Sequence, residues 1–220
     1  MTFPDPKKSS RICLIEAAIL CFSEKGYDAV GIREIALKAR ANSSLIQYHF
    51  GGKAGIYAEA LRHIFSSRPM KLPALITRSD KAEARETAIQ SIGALVEIML
   101  GELMSCTNGS DLDRAGLKLI TRELQDPREH VTGLILEHMR PLQDRLMTYL
   151  KVLRPDLDGS SVEDHMKSIF SQVIQLHTSF ALIQSMRDEP DYPGDLRTAV
   201  AHLTEFSLRG IGIPEPFPGA

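Results

Sequence analysis

The sequence predicts an all-α protein of about nine helices, and three observations carry that prediction. Apolar residues recur at helical spacing through almost the whole chain, as at Ile12, Ile15 and Ile19. The alternating patterns that predict strands are nearly absent. Short clusters of glycine, proline and small polar residues interrupt the helical pattern and indicate where each helix ends. Three short helices are expected before residue 50, and mostly longer ones after it.

Capping residues and breakers set the bounds of each predicted helix. Ser9 or Ser10 can cap the first helix, and Gly26 ends it. Ser160 and Glu163 have the spacing of a capping box for the eighth helix. The predicted helices lie at about residues 10–25, 32–38, 43–49, 53–67, 80–104, 110–124, 127–153, 160–186 and 195–208.

Two prolines and one polar segment shape the second half of this pattern. Pro127 is expected in the first turn of the seventh helix, where the missing N–H costs nothing. Pro141 lies inside the same helix and is expected to kink it. Residues 105–110 are expected to form a loop.

Composition and charge exclude several classes of protein. Hydrophobic residues make up 43% of the 220 residues, which is enough for a packed core and too much for a disordered chain. The net charge is −2, yet residues 1–65 hold nine Lys and Arg against six Asp and Glu. A basic first third indicates a polyanionic partner there. Three cysteines without a disulfide framework, no apparent signal peptide and no apparent membrane span predict a cytoplasmic protein without a membrane partner.

The second and third helices have the layout of a helix-turn-helix motif, with a turn of two or three residues between them. In that motif the second helix enters the major groove, so its first turns need small or polar side chains. Asn42, which caps the helix, and Ser43, Ser44 and Gln47 meet that requirement. Gln47 can form two hydrogen bonds with adenine. Apolar residues must hold the helix from behind, and Leu45 or Ile46, with Phe50, can do so.

Further side chains are suited to the DNA backbone. Tyr48 and His49 can donate to phosphate through the hydroxyl and the ring N–H. Lys53 begins the next helix, where its charge and the free backbone N–H groups both favour an anion. Arg33 opens the supporting helix and can contact the backbone or a groove edge. Spacing alone leaves a second interpretation open, a small helical subdomain with a polar loop.

Residues 9–65 resemble the N-terminal domain of the TetR family of bacterial repressors. The likeness runs through EKGYDAV at 24–30 and IREIALKARANSSLIQYHFGGKAGIYAEAL at 32–61, with the block YHF, a lysine three residues later, and then Ile-Tyr. The resemblance implies groove or phosphate contacts at Arg33, Ser43, Ser44, Gln47, Tyr48, His49 and Lys53. For residues 80–209 it implies a ligand-binding core and two C-terminal helices that dimerise. The GGK break and the HMRP sequence at 138–141 resemble the CecR-type subgroup.

The sequence departs from the TetR pattern at three positions. Gly31 stands where the family usually has a Thr or Ser cap, so no side chain there can contact phosphate. Arg40 stands where the turn usually holds glycine; if this residue is left-handed, a side chain there costs on the order of 1 kcal/mol. Gln47 stands where many members of the family have an aromatic residue, so we expect its operator sequence to differ from that of the best-known members.

Flexible or amphipathic side chains on expected inward faces are candidates for an effector pocket. Each of them has an alternative interpretation as an ordinary core residue. The candidates are Met99, Leu103, Met104, Cys106, His138, Met139, Leu142, Phe170 and His177.

The helix predicted at 160–186 is apolar on more than one side, which is typical of a helix that packs on two sides. With the last helix it could form a two-fold, four-helix dimer interface. The alternative is burial within one monomer. The candidate interface residues are Met166, Ile169, Val173, Phe180, Ile183, Leu203 and Phe206.

Enzyme motifs are absent from the sequence. There is no Ser-His-Asp spacing, no phosphate-binding glycine loop and no paired-ligand metal motif, so we expect no catalytic residue, metal or cofactor. The sequence therefore predicts a homodimeric, ligand-responsive DNA-binding regulator, most simply a repressor. Residues 1–67 are expected to bind double-stranded DNA, with 53–67 as a connecting helix. Residues 68–220 are expected to bind a small-molecule effector and to dimerise. The alternative is a helical ligand-binding or scaffold protein that does not bind DNA.

Overall fold

The computed structural model describes residues 9–73, 80–187 and 195–213. Within those ranges the chain forms helices and no strands, so the all-α prediction is confirmed. The helices are α1 Ser10–Lys25, α2 Ile32–Lys38, α3 Ser44–Phe50, α4 Lys53–Ser67, α5 Lys81–Thr107, α6 Asp111–Gln125, α7 Glu129–Leu153, α8 Gly159–Arg187 and α9 Leu196–Gly210.

The chain divides into two compact units. The first contains the described residues of Met1–Pro69 together with Ser105–His138, and the second contains those of Met70–Met104 with Met139–Ala220. Residues 105–138 thus pack with the N-terminal helices, although the functional division expected from the sequence falls at residue 67. That functional division stays a prediction.

The first unit is built around α1, whose buried side includes Leu14, Ile15 and Phe22. The Ser9 side chain accepts a hydrogen bond from the N–H of Ile12 and begins the helix, as predicted. Helix α6 packs on this unit. The Ser110 hydroxyl and the Asp113 carboxylate form a capping box at the start of α6.

The second unit has a core contributed by α5, α7, α8 and α9. Aliphatic side chains dominate it, and one aromatic residue, Tyr149, is fully buried. Its phenol hydroxyl donates to the carbonyl of Pro73, and the Arg145 guanidinium donates to the same oxygen. These two bonds hold the segment that follows α4 against α7.

Several predicted helix ends are wrong by a few residues. Helix α5 continues to Thr107 instead of ending at Met104, because the strong breakers are Asn108 and Gly109. Helix α7 begins at Glu129, so Pro127 precedes its first turn.

The predicted cap of α8 is also wrong. The Asp158 carboxylate accepts from the N–H of Ser161, so this residue satisfies the first turn in place of a Ser160–Glu163 box. Asp158 is an equally good cap and begins the helix one residue earlier than predicted.

The turn between α2 and α3 contains a left-handed residue at the position where the family usually has glycine. Arg40 has φ 54°, a region that favours glycine. Gly31 caps α2 without a side-chain hydrogen bond, as predicted. The assigned N-cap of α3 is Ser43, and the Asn42 side chain accepts from the N–H of Ser44 at 2.9 Å. Asn42 therefore satisfies a backbone N–H at the start of α3, as predicted for a cap, but it lies one residue before the N-cap position.

Candidate nucleic-acid interface

Helices α2 and α3 form a helix-turn-helix with an apolar inner side. Ile35 and Ala36 of α2, and Ile46 and Phe50 of α3, are buried. The N–H of Ala41 donates to the carbonyl of Ala36 at 2.9 Å and closes the turn between the helices. The inner side chains hold α3 so that its other side faces outward.

The outward side of α3 is polar and accessible. Ser44, Gln47 and Tyr48 are exposed, and Tyr48 is 82% exposed even though it is a large aromatic residue. Ser43 and His49 are half-buried at the edges of this surface. An exposed aromatic beside an amide and a hydroxyl is unusual for a solvated face, and all three groups can contact bases or phosphates.

Lys53 and Arg33 are the basic candidates near this surface in the sequence. Arg33 is exposed in the first turn of α2. Lys53 is the first residue of α4, and its Nζ donates to the carbonyl of Asp28 at 3.1 Å. The same Nζ lies 4.6 Å from the centroid of the Tyr27 ring. An ammonium has three donors, so Lys53 keeps donors for a phosphate while it is held in this position.

Gly55 fixes the spacing between α3 and α4. A Cβ placed on Gly55 would lie 1.7 Å from the carbonyl oxygen of Phe50, the last residue of α3. Only a glycine lets the end of α3 approach the first turn of α4 this closely. The position of the outward side of α3 therefore depends on this one residue.

A buried carboxylate that was not among the predicted site residues lies behind the helix-turn-helix. Glu123 of α6 is 1% exposed and accepts hydrogen bonds from the Tyr57 hydroxyl, the Arg128 guanidinium and, at 3.0 Å, the Arg128 backbone N–H. Burial and the bond to Glu123 both raise the pKa of the Tyr57 phenol. Glu123 follows Ala115 and Leu119 at intervals of four residues on the buried side of α6, and that spacing is the signal that could have identified it.

An aromatic cluster surrounds this carboxylate. The Tyr27 and Tyr57 ring centroids are 4.8 Å apart, and the Phe22 ring meets that of Tyr57 edge to face, also at 4.8 Å. The His130 ring lies 5.2 Å from that of Tyr27. The cluster joins α1, α4 and the start of α7, so α4 is anchored on two sides.

The far end of α4 contacts α5, α6 and α7 within the first unit. The Arg68 guanidinium donates to the Ser105 hydroxyl and the Asp113 carboxylate, both at 2.8 Å. The Phe65 and His138 rings stack with centroids 4.0 Å apart, and burial lowers the pKa of that histidine. Helix α4 therefore contacts the helix-turn-helix near its start and the helices that follow it near its end.

The residues predicted for an effector pocket fall in both units. Met99, Leu142 and Phe170 are buried in the core of the second unit, and Leu103 and Met139 pack against that core. Other candidates are half-buried, namely Met104 in the second unit and Cys106 and His138 in the first. The side chain of His177 lies outside the described residues. The pocket stays a prediction.

Among the residues predicted for a dimer interface, four are buried within one protomer. These are Met166, Ile169, Val173 and Leu203. Phe206 is 56% exposed on α9, and the His202 ring lies beside it with centroids 6.4 Å apart. The side chains of Phe180 and Ile183 lie outside the described residues. The interface stays a prediction, and Phe206 is its best-placed member.

Two features of the described residues bear on other functions. No group of three or more His, Cys, Asp or Glu side chains in those ranges could hold a metal ion. Helix α5 is long and apolar enough to cross a membrane by length and composition. Its inner side, which includes Ile92, Leu95 and Val96, forms part of the core of the second unit, and core helices of soluble proteins meet the same test.

Family models match most of the chain. Residues 14–60 match the model of the bacterial regulatory proteins of the tetR family. Residues 88–211, more than half of the chain, match the C-terminal domain of the HTH-type transcriptional dual regulator CecR. The first match covers α2 and α3 and the buried part of α1, and the second covers most of α5 through α9.

Individual relatives match a smaller part of the chain. The chain is 27% identical to YttP of Bacillus subtilis over 86 residues, which are 39% of this chain and 42% of YttP. It is 33% identical to the HTH-type transcriptional repressor NicS of Pseudomonas putida over 54 residues, 24% of this chain and 26% of NicS. The chain thus matches less than half the length of these curated relatives.

Solved structures extend the likeness of fold over nearly the whole chain. A complex of SmeT with triclosan superposes with a TM-score of 0.59 and 15% identity, covering 96% of this chain and 100% of SmeT. The predicted likeness to the CecR-type subgroup is confirmed by the domain match. The chain belongs to the tetR family of bacterial regulatory proteins, with a C-terminal domain of the CecR type.

Proposed function

We propose that the protein is a homodimeric, ligand-responsive transcriptional regulator that binds a palindromic operator and represses transcription until a small molecule releases it. One observation carries the proposal. Helix α3 exposes Gln47 and Tyr48 while Ile46 and Phe50 fasten its inner side. A helix held in this way can enter the major groove without losing its own packing.

The contacts in this proposal divide by their chemistry. Gln47 pairs with a base edge, adenine being its best partner, and Ser44 contacts a base or phosphate. Tyr48, His49, Lys53 and Arg33 contact phosphates, and Ser43 and Asn42 lie at the start of the same helix. Base contacts set sequence preference, whereas phosphate contacts set overall affinity and its salt dependence.

Dimerisation and release complete the proposal. Two copies of α3 must match half-sites about 34–36 Å apart, so an effector that favours another spacing lowers affinity. The relative NicS is named a repressor, and SmeT was solved with triclosan bound, which supports repression and a small-molecule effector here. Phe206 on α9 is a candidate contact between protomers. A DNA partner also supports a cytoplasmic location.

A mobility-shift assay against the upstream region of the protein's own gene tests the proposal first. We expect a discrete complex that survives excess unrelated duplex. A protein that binds neither the upstream region nor any duplex enriched from a random library would instead be a helical ligand-binding or scaffold protein.

Replacing Lys53 with alanine is expected to weaken binding to every duplex about equally. The loss of one phosphate contact should reduce the slope of log K against log salt by about one unit. Fluorescence anisotropy across a salt series measures the slope. Lys118→Ala, which removes an exposed lysine from α6, is the matched control and should leave it unchanged. Equal slopes for the parent and Lys53→Ala would remove Lys53 from the DNA contacts.

A further inference from the structure

We infer that Arg128 is a positioning residue for DNA binding: through Tyr27 and Asp28 it holds the Lys53 side chain where a phosphate meets it. The inference rests on the proposed function, because it assigns Lys53 a phosphate. Arg128 itself lies between α6 and α7, outside the helix-turn-helix. The conclusion follows from three contacts in the first unit.

The first contact fixes Lys53 on the turn between α1 and α2. Its Nζ donates to the carbonyl of Asp28 at 3.1 Å and lies 4.6 Å from the centroid of the Tyr27 ring. A lysine side chain is otherwise among the most mobile in a protein, and ordering it costs rotamer entropy. A lysine already held in place loses less of that entropy when DNA arrives.

The second contact joins Arg128, in the connection between α6 and α7, to the turn between α1 and α2. The Arg128 guanidinium carbon lies 5.2 Å from the centroid of Tyr27 and 5.7 Å from that of Tyr57. Its Nη2 also lies 3.8 Å from the Asp28 carboxylate. Two cations, those of Arg128 and Lys53, therefore lie against one ring, so the position of the ring affects both.

The third contact makes Arg128 a fixed point. Its guanidinium pairs with the buried carboxylate of Glu123, and its backbone N–H donates to the other oxygen of that carboxylate at 3.0 Å. The Arg128 side chain is 21% exposed, so most of it is removed from solvent. A charge committed to a buried partner is poorly suited to bind DNA itself and well suited to fix its neighbours.

A double-mutant cycle tests the inference on a duplex enriched from a random library by the parent protein. Arg128→Gln and Tyr27→Leu are each measured in the parent and in the Lys53→Ala variant. With Lys53 present, we expect Arg128→Gln and Tyr27→Leu each to weaken binding about tenfold, which is the scale of one charge-assisted hydrogen bond. Each should also lower the slope of log K against log salt toward that of Lys53→Ala. In the Lys53→Ala variant, each should change affinity less than about twofold, because the lysine that they position is gone. Tyr27→Phe keeps the ring and should match the parent.

A measurement without DNA tests the same contact in the free protein. Lysines are reductively methylated with ¹³C, and Lys53→Arg identifies the Lys53 resonance. We expect the Tyr27 ring to displace that resonance from the position of the exposed lysines, and Arg128→Gln to move it toward them. This readout also decides the question if Tyr27→Leu does not fold. Because Arg128→Gln leaves the buried Glu123 carboxylate without its cation, its fold is checked by circular dichroism, and Arg128→Lys, which keeps a cation there but not the planar guanidinium over Tyr27, takes its place if it does not fold.

Three outcomes overturn the inference. Losses of affinity that are the same with and without the Lys53 side chain would show that Arg128 and Tyr27 do not act through it. A Lys53 resonance that does not respond to Arg128→Gln would show that Arg128 does not position it. A parent protein that enriches no duplex would fail before any variant is made, and would overturn the proposed function together with this role.

Discussion

Replacing Glu123 with alanine is expected to lower the free energy of unfolding by about 3–5 kcal/mol, the cost of breaking a buried ion pair from one side. The carboxylate has no exposed side-chain surface and accepts bonds from Tyr57 and Arg128. Its removal leaves a guanidinium and a phenol hydroxyl without their partner in the interior. The variant Glu123→Gln keeps the shape and part of the bonding, so it should lose less.

Urea unfolding followed by circular dichroism, at one fixed protein concentration, measures the effect. Glu137→Ala is the matched control, because Glu137 is an exposed glutamate of the same unit. It should change stability by no more than about 0.5 kcal/mol. If Glu123→Ala were as stable as Glu137→Ala, the buried carboxylate would not be the anchor between α4 and the start of α7.

Replacing Gly55 with alanine is expected to be the second large effect. The added Cβ would lie 1.7 Å from the Phe50 oxygen and 2.8 Å from the Phe50 carbonyl carbon. Both atoms belong to the backbone, so no side-chain rotation can make room and the end of α3 must move. Overpacking of this kind costs about 3 kcal/mol. Because α3 shifts against α4, affinity for DNA should fall even where the variant remains folded.

Gly133→Ala is the matched control for this substitution. Gly133 also lies inside a helix, α7, but nothing lies within 4 Å of its added Cβ. There the change should stabilise the protein by about 0.5–1 kcal/mol, since glycine weakens helix interiors. Opposite signs at the two glycines, measured by the same unfolding assay, would confirm the close approach at Gly55. If Gly55→Ala lowered the free energy of unfolding by no more than Gly133→Ala changes it, that result would contradict the close approach at Gly55.

The sequence predicts helices best where strong local signals bound them. Helices α2 and α4 begin and end at the predicted residues, because Gly31, Gly52 and a following proline leave no alternative. Boundaries were wrong where two caps compete, as at Asp158 and Ser160, or where weak helix formers extend a helix, as at residues 105–107. Such choices differ by only tenths of a kcal/mol, and tertiary packing decides them.

Some residues of the candidate site can be predicted from the sequence pattern and others cannot. Outward residues of α3 follow from the helical period once Ile46 and Phe50 are taken as its inner side. Glu123 was missed because a glutamate on a buried stripe is rare, and its partners lie far away in the chain. Met99, Leu142 and Phe170 have the same spacing whether they line a pocket or fill a core, so no sequence pattern separates the two.

Selection of bound duplexes from a random library, with the parent and Gln47→Ala in parallel, tests the central claim most directly. Gln125→Ala, an exposed glutamine at the end of α6, is the control. We predict that the parent and Gln125→Ala enrich the same palindromic motif. Gln47→Ala should lose its preference at one position in each half-site, where it gives up about 1–3 kcal/mol of discrimination for the preferred base. A parent that enriches no motif, or a Gln47→Ala motif identical to that of the parent at every position, would contradict the assignment of α3 as the helix that recognises DNA sequence.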